Sequence, residues 1–174
     1  FASVNLLTTS KKVINMKFQE EFYNKLDKPI TTWMADNAIK FLRISLGIIF
    51  FWFGFLKFFP GVSSAEGLAT KTISVMTFEL LQPSVSIIIL AAWETLIGLG
   101  LLFNKFIREI LFLLFLQMIG TMLPLFFFPA ETFKMFPFVP TLEGQYIIKN
   151  LILISAGLAI GATVRGGKIV PNTN

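Results

Sequence analysis

The sequence predicts an all-α integral membrane protein. It reads as a four-helix bundle with an N-terminal interfacial helix and a short amphipathic helix in its first outer loop. Three observations carry this. Four apolar stretches each reach the roughly 20 residues needed to cross about 30 Å of hydrocarbon, and they are apolar in runs, without the one-sided stripes of soluble helices. Only 14% of the 174 residues are charged, against about a quarter in a soluble domain. The basic residues gather in alternate connecting segments, as the positive-inside bias requires of a multi-pass chain.

Residues 1–40 form the first segment, expected on the cytoplasmic side. Its opening, FASVNLLTTSKKVIN, lacks the long apolar core and cleavage site of a signal peptide. Phe18, Phe22, Leu26 and Ile30 then recur every four residues among charges, which predicts a helix lying in the interface. Residues 41–164 hold the spans. The first runs from Phe41 to Phe59 and stops at Pro60-Gly61. The link that follows contains Ser63-Ser64-Ala65-Glu66, a capping-box pattern. Leu68, Ala69, Ile73, Met76 and Leu80 come next at near-helical spacing, predicting an amphipathic helix on the membrane face.

The second span runs from Pro83, a favourable first helical residue, to Phe103, and Asn104-Lys105 closes it. The third runs from Phe106 to Phe128, making a tight antiparallel hairpin with the second, and Pro124 kinks its last turn. The segment PAETFKMFPFVPTLEGQ, rich in Phe and Pro, predicts an ordered aromatic cap dipping into the interface. The fourth span runs from Tyr146 to Val164, and residues 165–174 form a short cytoplasmic tail.

Lys11, Lys12, Lys17, Lys25, Lys28, Lys40 and Arg43 precede or enter the first span; Lys105 and Arg108 sit at the hairpin; Arg165 and Lys168 follow the last span. The two long loops carry only Lys71 and Lys134. Both termini are therefore expected in the cytoplasm. The net charge of +5 follows from this bias and from contact with anionic lipid, so no nucleic-acid partner is expected. The expected partners are the lipid bilayer and either other membrane-protein subunits or further copies of this chain. Cysteine and histidine are both absent, which excludes thiol catalysis, His acid–base chemistry, and Cys or His metal sites. No catalytic residue, metal ligand or cofactor motif is identifiable, and a bound quinone, lipid or ion stays open.

Ionisable groups inside a bilayer cost a few kcal/mol each on insertion scales and generally face a bundle interior or a wet cavity. On the first span, Arg43, Gly47, Phe50, Gly54 and Lys57 follow steps of four, three, four and three, and so share a face. Arg43 is the polar residue of the cytoplasmic end and Lys57 stands at the outer end, about 21 Å away. Glu94 lies about 16 Å into the second span, near the midplane, with Gly98 one turn on. Gln117 reaches a similar depth in the third span, within hydrogen-bonding reach of Glu94 across the hairpin. Lys149 and Asn150 enter the fourth span near the depth of Lys57, and Gly157 and Gly161 form a GxxxG packing pair. The depths predict a polar pocket in the outer half of the bundle: Lys57, Lys149 and Asn150 at the rim, Glu94 and Gln117 at the floor. Three readings of it stand side by side: glue between helices, a ligand pocket, and a proton or ion path.

At these residues the sequence resembles the DoxX-like membrane proteins, in particular the YkgB-like branch. That branch shows an Arg near the start of its first helix, a G-x-x-K-F motif at its end and an acidic residue in the next loop. Here these stand as Arg43, Gly54-Phe55-Leu56-Lys57-Phe58 and Glu66. The second-helix Glu appears in Trp93-Glu94 with Gly98 following. The fourth-helix entry resembles G-R-F-x-x-K-D-L, standing here as Gly144 through Leu151, with Gln145 and Asn150 in place of the Arg and Asp. The resemblance spans residues 40 to 164 and implies a four-helix bundle in the bacterial cytoplasmic membrane. Relatives are linked to thiosulfate–quinone oxidoreduction, to oxidative or chlorine stress resistance, and to partner roles in membrane oxidoreductase complexes. The leading expectation is an accessory membrane protein that binds a small lipophilic or anionic ligand in the outer-half pocket. The alternatives are a small proton-coupled transporter and a purely structural subunit of a larger complex.

Overall fold

A computed structural model describes residues 21–169. A chain crossing hydrocarbon must satisfy its backbone polar groups within each segment, and the apolar runs do so as helices. A π-helical turn at Tyr23–Asp27 leads into α1 (Lys28–Leu56); α2 (Glu66–Met76) occupies the first long loop. The hairpin is α3 (Pro83–Phe103) and α4 (Ile107–Met122), followed by the helical turns α5 (Pro124–Phe127) and α6 (Pro129–Thr132). Strands β1 (Phe133–Met135) and β2 (Val139–Pro140) pair antiparallel before α7 (Leu142–Thr163). Among the described residues, four helical segments are long and apolar enough to cross a membrane: Tyr23–Leu56, Pro83–Phe103, Ile107–Phe127 and Leu142–Thr163. At 1.5 Å per residue α3 is about 31 Å long, which matches the hydrocarbon thickness.

The bounds of α3 are those expected from the sequence. Elsewhere they shift. Helix α1 begins at Lys28, well before Phe41: Pro29 suits a first helical turn and no glycine or proline interrupts the stretch from there to Lys40. Phe18 and the basic residues 11, 12 and 17 lie outside the described residues, as do residues 170–174. The capping box at Ser63 does not form: no side chain caps α2, and the Glu66 carboxylate instead accepts from the Gly61 amide at 2.9 Å. The buried residue of α2 is Thr72, and Leu80 falls beyond the helix, exposed. Helix α7 starts four residues ahead of Tyr146, because Thr141 caps it by accepting from Gly144 N at 3.2 Å. Pro124 ends α4 and opens a separate turn.

The bundle core is built from Leu46 and Phe50 of α1, Ala91, Ile97 and Leu101 of α3, Leu111, Leu114 and Met118 of α4, and Ala156 and Ile160 of α7. Between α1 and α3 the packing is set by glycine. Gly47 lies against Leu102, Phe51 against Gly98, and Gly54 against Thr95. The steps are four and three on both helices, in opposite directions, so the pairs define one antiparallel seam. A Cβ on Gly54 would lie 2.6 Å from the Thr95 amide nitrogen, and one on Gly98 would strike the Phe51 backbone. Gly157 packs more loosely, with a Cβ there 3.2 Å from the Phe115 ring, and Gly161 more loosely still, 3.4 Å from Leu111. At the loop end, Lys71 of α2 pairs with Glu131 of α6 and stands 4.6 Å over the Phe128 ring.

Gly98→Ala is therefore expected to lower stability by about 1–3 kcal/mol through overpacking against backbone. Gly161→Ala is expected to be neutral or to stabilise by up to about 1 kcal/mol, since alanine favours helix. Thermal unfolding of the two variants in mild detergent, followed by the monodisperse fraction, checks this. Equal losses from both would show that the α1–α3 seam is not the tight one.

Candidate functional site

The α1–α3 seam brings three polar side chains together inside the bundle. Helix α1 ends at Leu56, and the amide of Lys57 turns back to Gly54 O at 3.1 Å. That turn aims the lysine inward instead of toward water. Its ammonium donates to Glu94 Oε2 at 2.6 Å and to Phe53 O at 3.3 Å. From α4, Gln117 Nε2 donates to the other carboxylate oxygen, Glu94 Oε1, at 2.7 Å. Lys57, Glu94 and Gln117 are all buried, at 7–8% exposure. One residue before the carboxylate, the Trp93 indole donates to Leu113 O of α4 at 3.2 Å. The carboxylate thus receives one donor from α1 and one from α4, and three helices meet on a single side chain of α3.

The hydrogen bonds also fix which way the Gln117 amide points. Its NH₂ must face the carboxylate oxygen, since the reverse would set two acceptors against each other. That leaves Gln117 Oε1 on the far side, buried and without a partner; among the described residues the only other such side-chain atom is Thr95 Oγ1. Both lie within one residue or one hydrogen bond of Glu94. Buried acceptors are nearly always satisfied, and an unmade hydrogen bond costs about 1–3 kcal/mol.

The remaining residues expected at the site fall elsewhere. Lys149 is exposed on α7, its ammonium 5.4 Å over the Tyr146 ring, and Asn150 is half-buried. Among the described residues neither forms a hydrogen bond or ion pair with the three-residue cluster. Arg43 is half-buried at the opposite end and donates to the carbonyls of Leu101 and Leu102. These are among the last carbonyls of α3, which lack partners within their own helix, so the guanidinium caps α3 and complements its dipole. Thr95 was not among the expected site residues; the signal for it is a hydroxyl residue directly beside an intramembrane glutamate.

A buried pair in a medium this apolar stabilises only as a pair, because a lone charge left behind is costly. Lys57→Met or Glu94→Gln alone is expected to cost about 3–5 kcal/mol. The double variant should cost clearly less than the two added together. Reversible unfolding in mixed micelles gives the cycle, and strict additivity would show that the two groups are not coupled.

Residues 38–130, just over half of the chain, match the family model described as DoxX. The match runs from within α1 to the start of α6 and contains Arg43, Lys57, Glu94 and Gln117. No match was found among curated proteins or among solved structures.

Proposed function

The chain belongs to the DoxX family, and we propose that it is a small accessory protein of the bacterial cytoplasmic membrane that binds a neutral, hydroxyl-bearing lipophilic molecule at Lys57–Glu94–Gln117. Within the family, Arg43, Gly54 through Phe58, and Glu66 support a proposed place in the YkgB-like branch.

The observation that carries the ligand reading is the buried, unpartnered Gln117 Oε1 beside the ion pair. The charges at the site are already matched, Lys57 against Glu94, so an anion would find no unpaired cation there. What Gln117 Oε1 lacks is a donor. A hydroxyl supplies one, and its oxygen can accept in turn from the Lys57 or Gln117 N–H groups that have no partner within the trio. A phenol, a hydroquinone or a long-chain alcohol fits this description. The side chains of Lys57 and Glu94 keep 7% and 11% of their surface accessible, which gives a small polar head a way in. A transport reading draws less support, because Arg43, the ionisable group at the far end, is committed to the carbonyls of α3. A purely structural reading draws on the same network joining α1, α3 and α4, and the experiment below separates it from binding. The basic residues at the hairpin and the termini support a topology with both ends of the chain in the cytoplasm.

The test uses purified protein in lipid nanodiscs and three matched probes: 4-octylphenol, its methyl ether and 4-octylbenzoate. The phenol is expected to bind about tenfold more tightly than the ether, the worth of one added hydrogen bond. Binding should shift the side-chain amide resonances of Gln117 in glutamine-labelled protein, and Gln117→Met should erase the preference. Tighter binding of the benzoate would overturn the neutral-ligand assignment. Absence of binding by all three would leave the cluster a purely structural device.

A further inference from the structure

At the loop end of the bundle, several large apolar side chains stand clear of the protein. Phe78 is 87% and Leu80 83% exposed, between α2 and α3. Phe126 in α5 is 76% exposed, and Phe136 and Phe138 of the β-hairpin are 65% and 81% exposed. The Lys71–Glu131 pair ties the first long loop to the second, so these side chains belong to one end of the molecule.

The backbone makes Phe78 the most telling of them. Phe78 and Glu79 both adopt left-handed conformations, with φ of 52° and 63°. Residues with a Cβ enter that region at a cost, and bulky ones seldom do. The Thr77 amide donates to Ile73 O at 2.9 Å and the Glu79 amide to Ser74 O at 2.8 Å, so α2 closes in a tight wrap and the ring swings outward. Backbone strain and an exposed phenyl ring both oppose folding in water. Both are offset when the ring enters an apolar medium.

We propose that Phe78, Leu80, Phe126, Phe136 and Phe138 form an aromatic anchor inserted at the headgroup–acyl boundary of the bilayer. The patch continues the lipid-facing surface of the spans: Leu80 lies three residues before Pro83, which opens one span, and Phe126 lies in the last turn of another. The side chains project from three segments, the α2–α3 link, α5 and the β-hairpin, and Phe136 packs edge-on against Phe133 with ring centroids 5.2 Å apart. Fluid acyl chains fill such a relief; a rigid protein surface matches a flat contiguous patch better. Lys134, exposed in the hairpin beside Phe136, suits a headgroup phosphate. The opposite end repeats the pattern, with exposed Phe103 and Phe106 beside Lys105 and Arg108. Interfacial belts are usually Trp and Tyr; with 3 Trp and 2 Tyr against 21 Phe, this chain builds its belt from phenylalanine. The proposal is independent of the ligand reading.

The chain has no cysteine, so a single nitroxide can be placed cleanly. Phe78→Cys, Phe136→Cys and Phe138→Cys are spin-labelled in phosphatidylcholine–phosphatidylglycerol vesicles, and collision rates are measured with oxygen and with a water-soluble nickel chelate. The anchor predicts oxygen collisions exceeding nickel collisions at all three positions, at a shallow depth just below the phosphates. Nickel accessibility equal to that of free nitroxide in water would overturn it. Protection from both reagents would also overturn it, by showing a protein surface over the patch. Should the Phe78 variant fail to fold, the two hairpin positions decide alone.

Discussion

The ion pair between Lys57 and Glu94 is the constraint around which the rest of the bundle is arranged. A carboxylate near the middle of a spanning helix is tolerable only if a donor reaches it. Lysine can do so here because its ammonium bends back from the end of α1 and because α1 and α3 run at backbone contact. That contact in turn demands glycine at 54 and 98, where any side chain would meet the facing main chain. The glycines and the ion pair are thus one device. Gln117 completes it from α4, and Trp93 adds a second tie to the same helix one residue away. Arg43 secures the other end of α3 by taking its free carbonyls.

Much of this was legible in the sequence, and the part that was not has a common cause. Hydropathy located all four spans, and Pro83 and Asn104 marked both ends of α3 to the residue. Depth along a helix is also readable, since each residue adds a fixed rise; the Glu94–Gln117 contact follows from depth alone, given a tight hairpin. Azimuth is not readable in the same way. Helices apolar on every side carry little information about which face meets a neighbour. Lys149, expected from the sequence at the depth of Lys57, sits on an exposed face over Tyr146, outside the cluster. Rise along the helix sets Lys57 at the rim, apart from a midplane glutamate, because it takes no account of the length and direction of a lysine side chain. The early start of α7 is hidden from hydropathy because Thr141 lies in a stretch that reads as loop, although threonine is a fair N-cap residue.

The same geometry narrows the chemistry. A site whose charges cancel offers an anion no unpaired cation, so of a lipophilic or an anionic ligand the lipophilic one is proposed. The exposed phenylalanines at both ends give the chain a way to hold its depth in the membrane, which matters for a site built across the middle of the bundle. The anchor and the site occupy different residues and can succeed or fail separately.

The central claim is that Lys57 and Glu94 are in direct contact. Solid-state NMR on protein labelled with 15N at lysine Nζ and 13C at glutamate Cδ, in lipid, measures that contact through dipolar dephasing. Among the described residues two close Lys–Glu pairs are expected, one lost in Glu94→Gln and the other in Glu131→Gln. A spectrum in which Glu94→Gln removes no dephasing would contradict the claim.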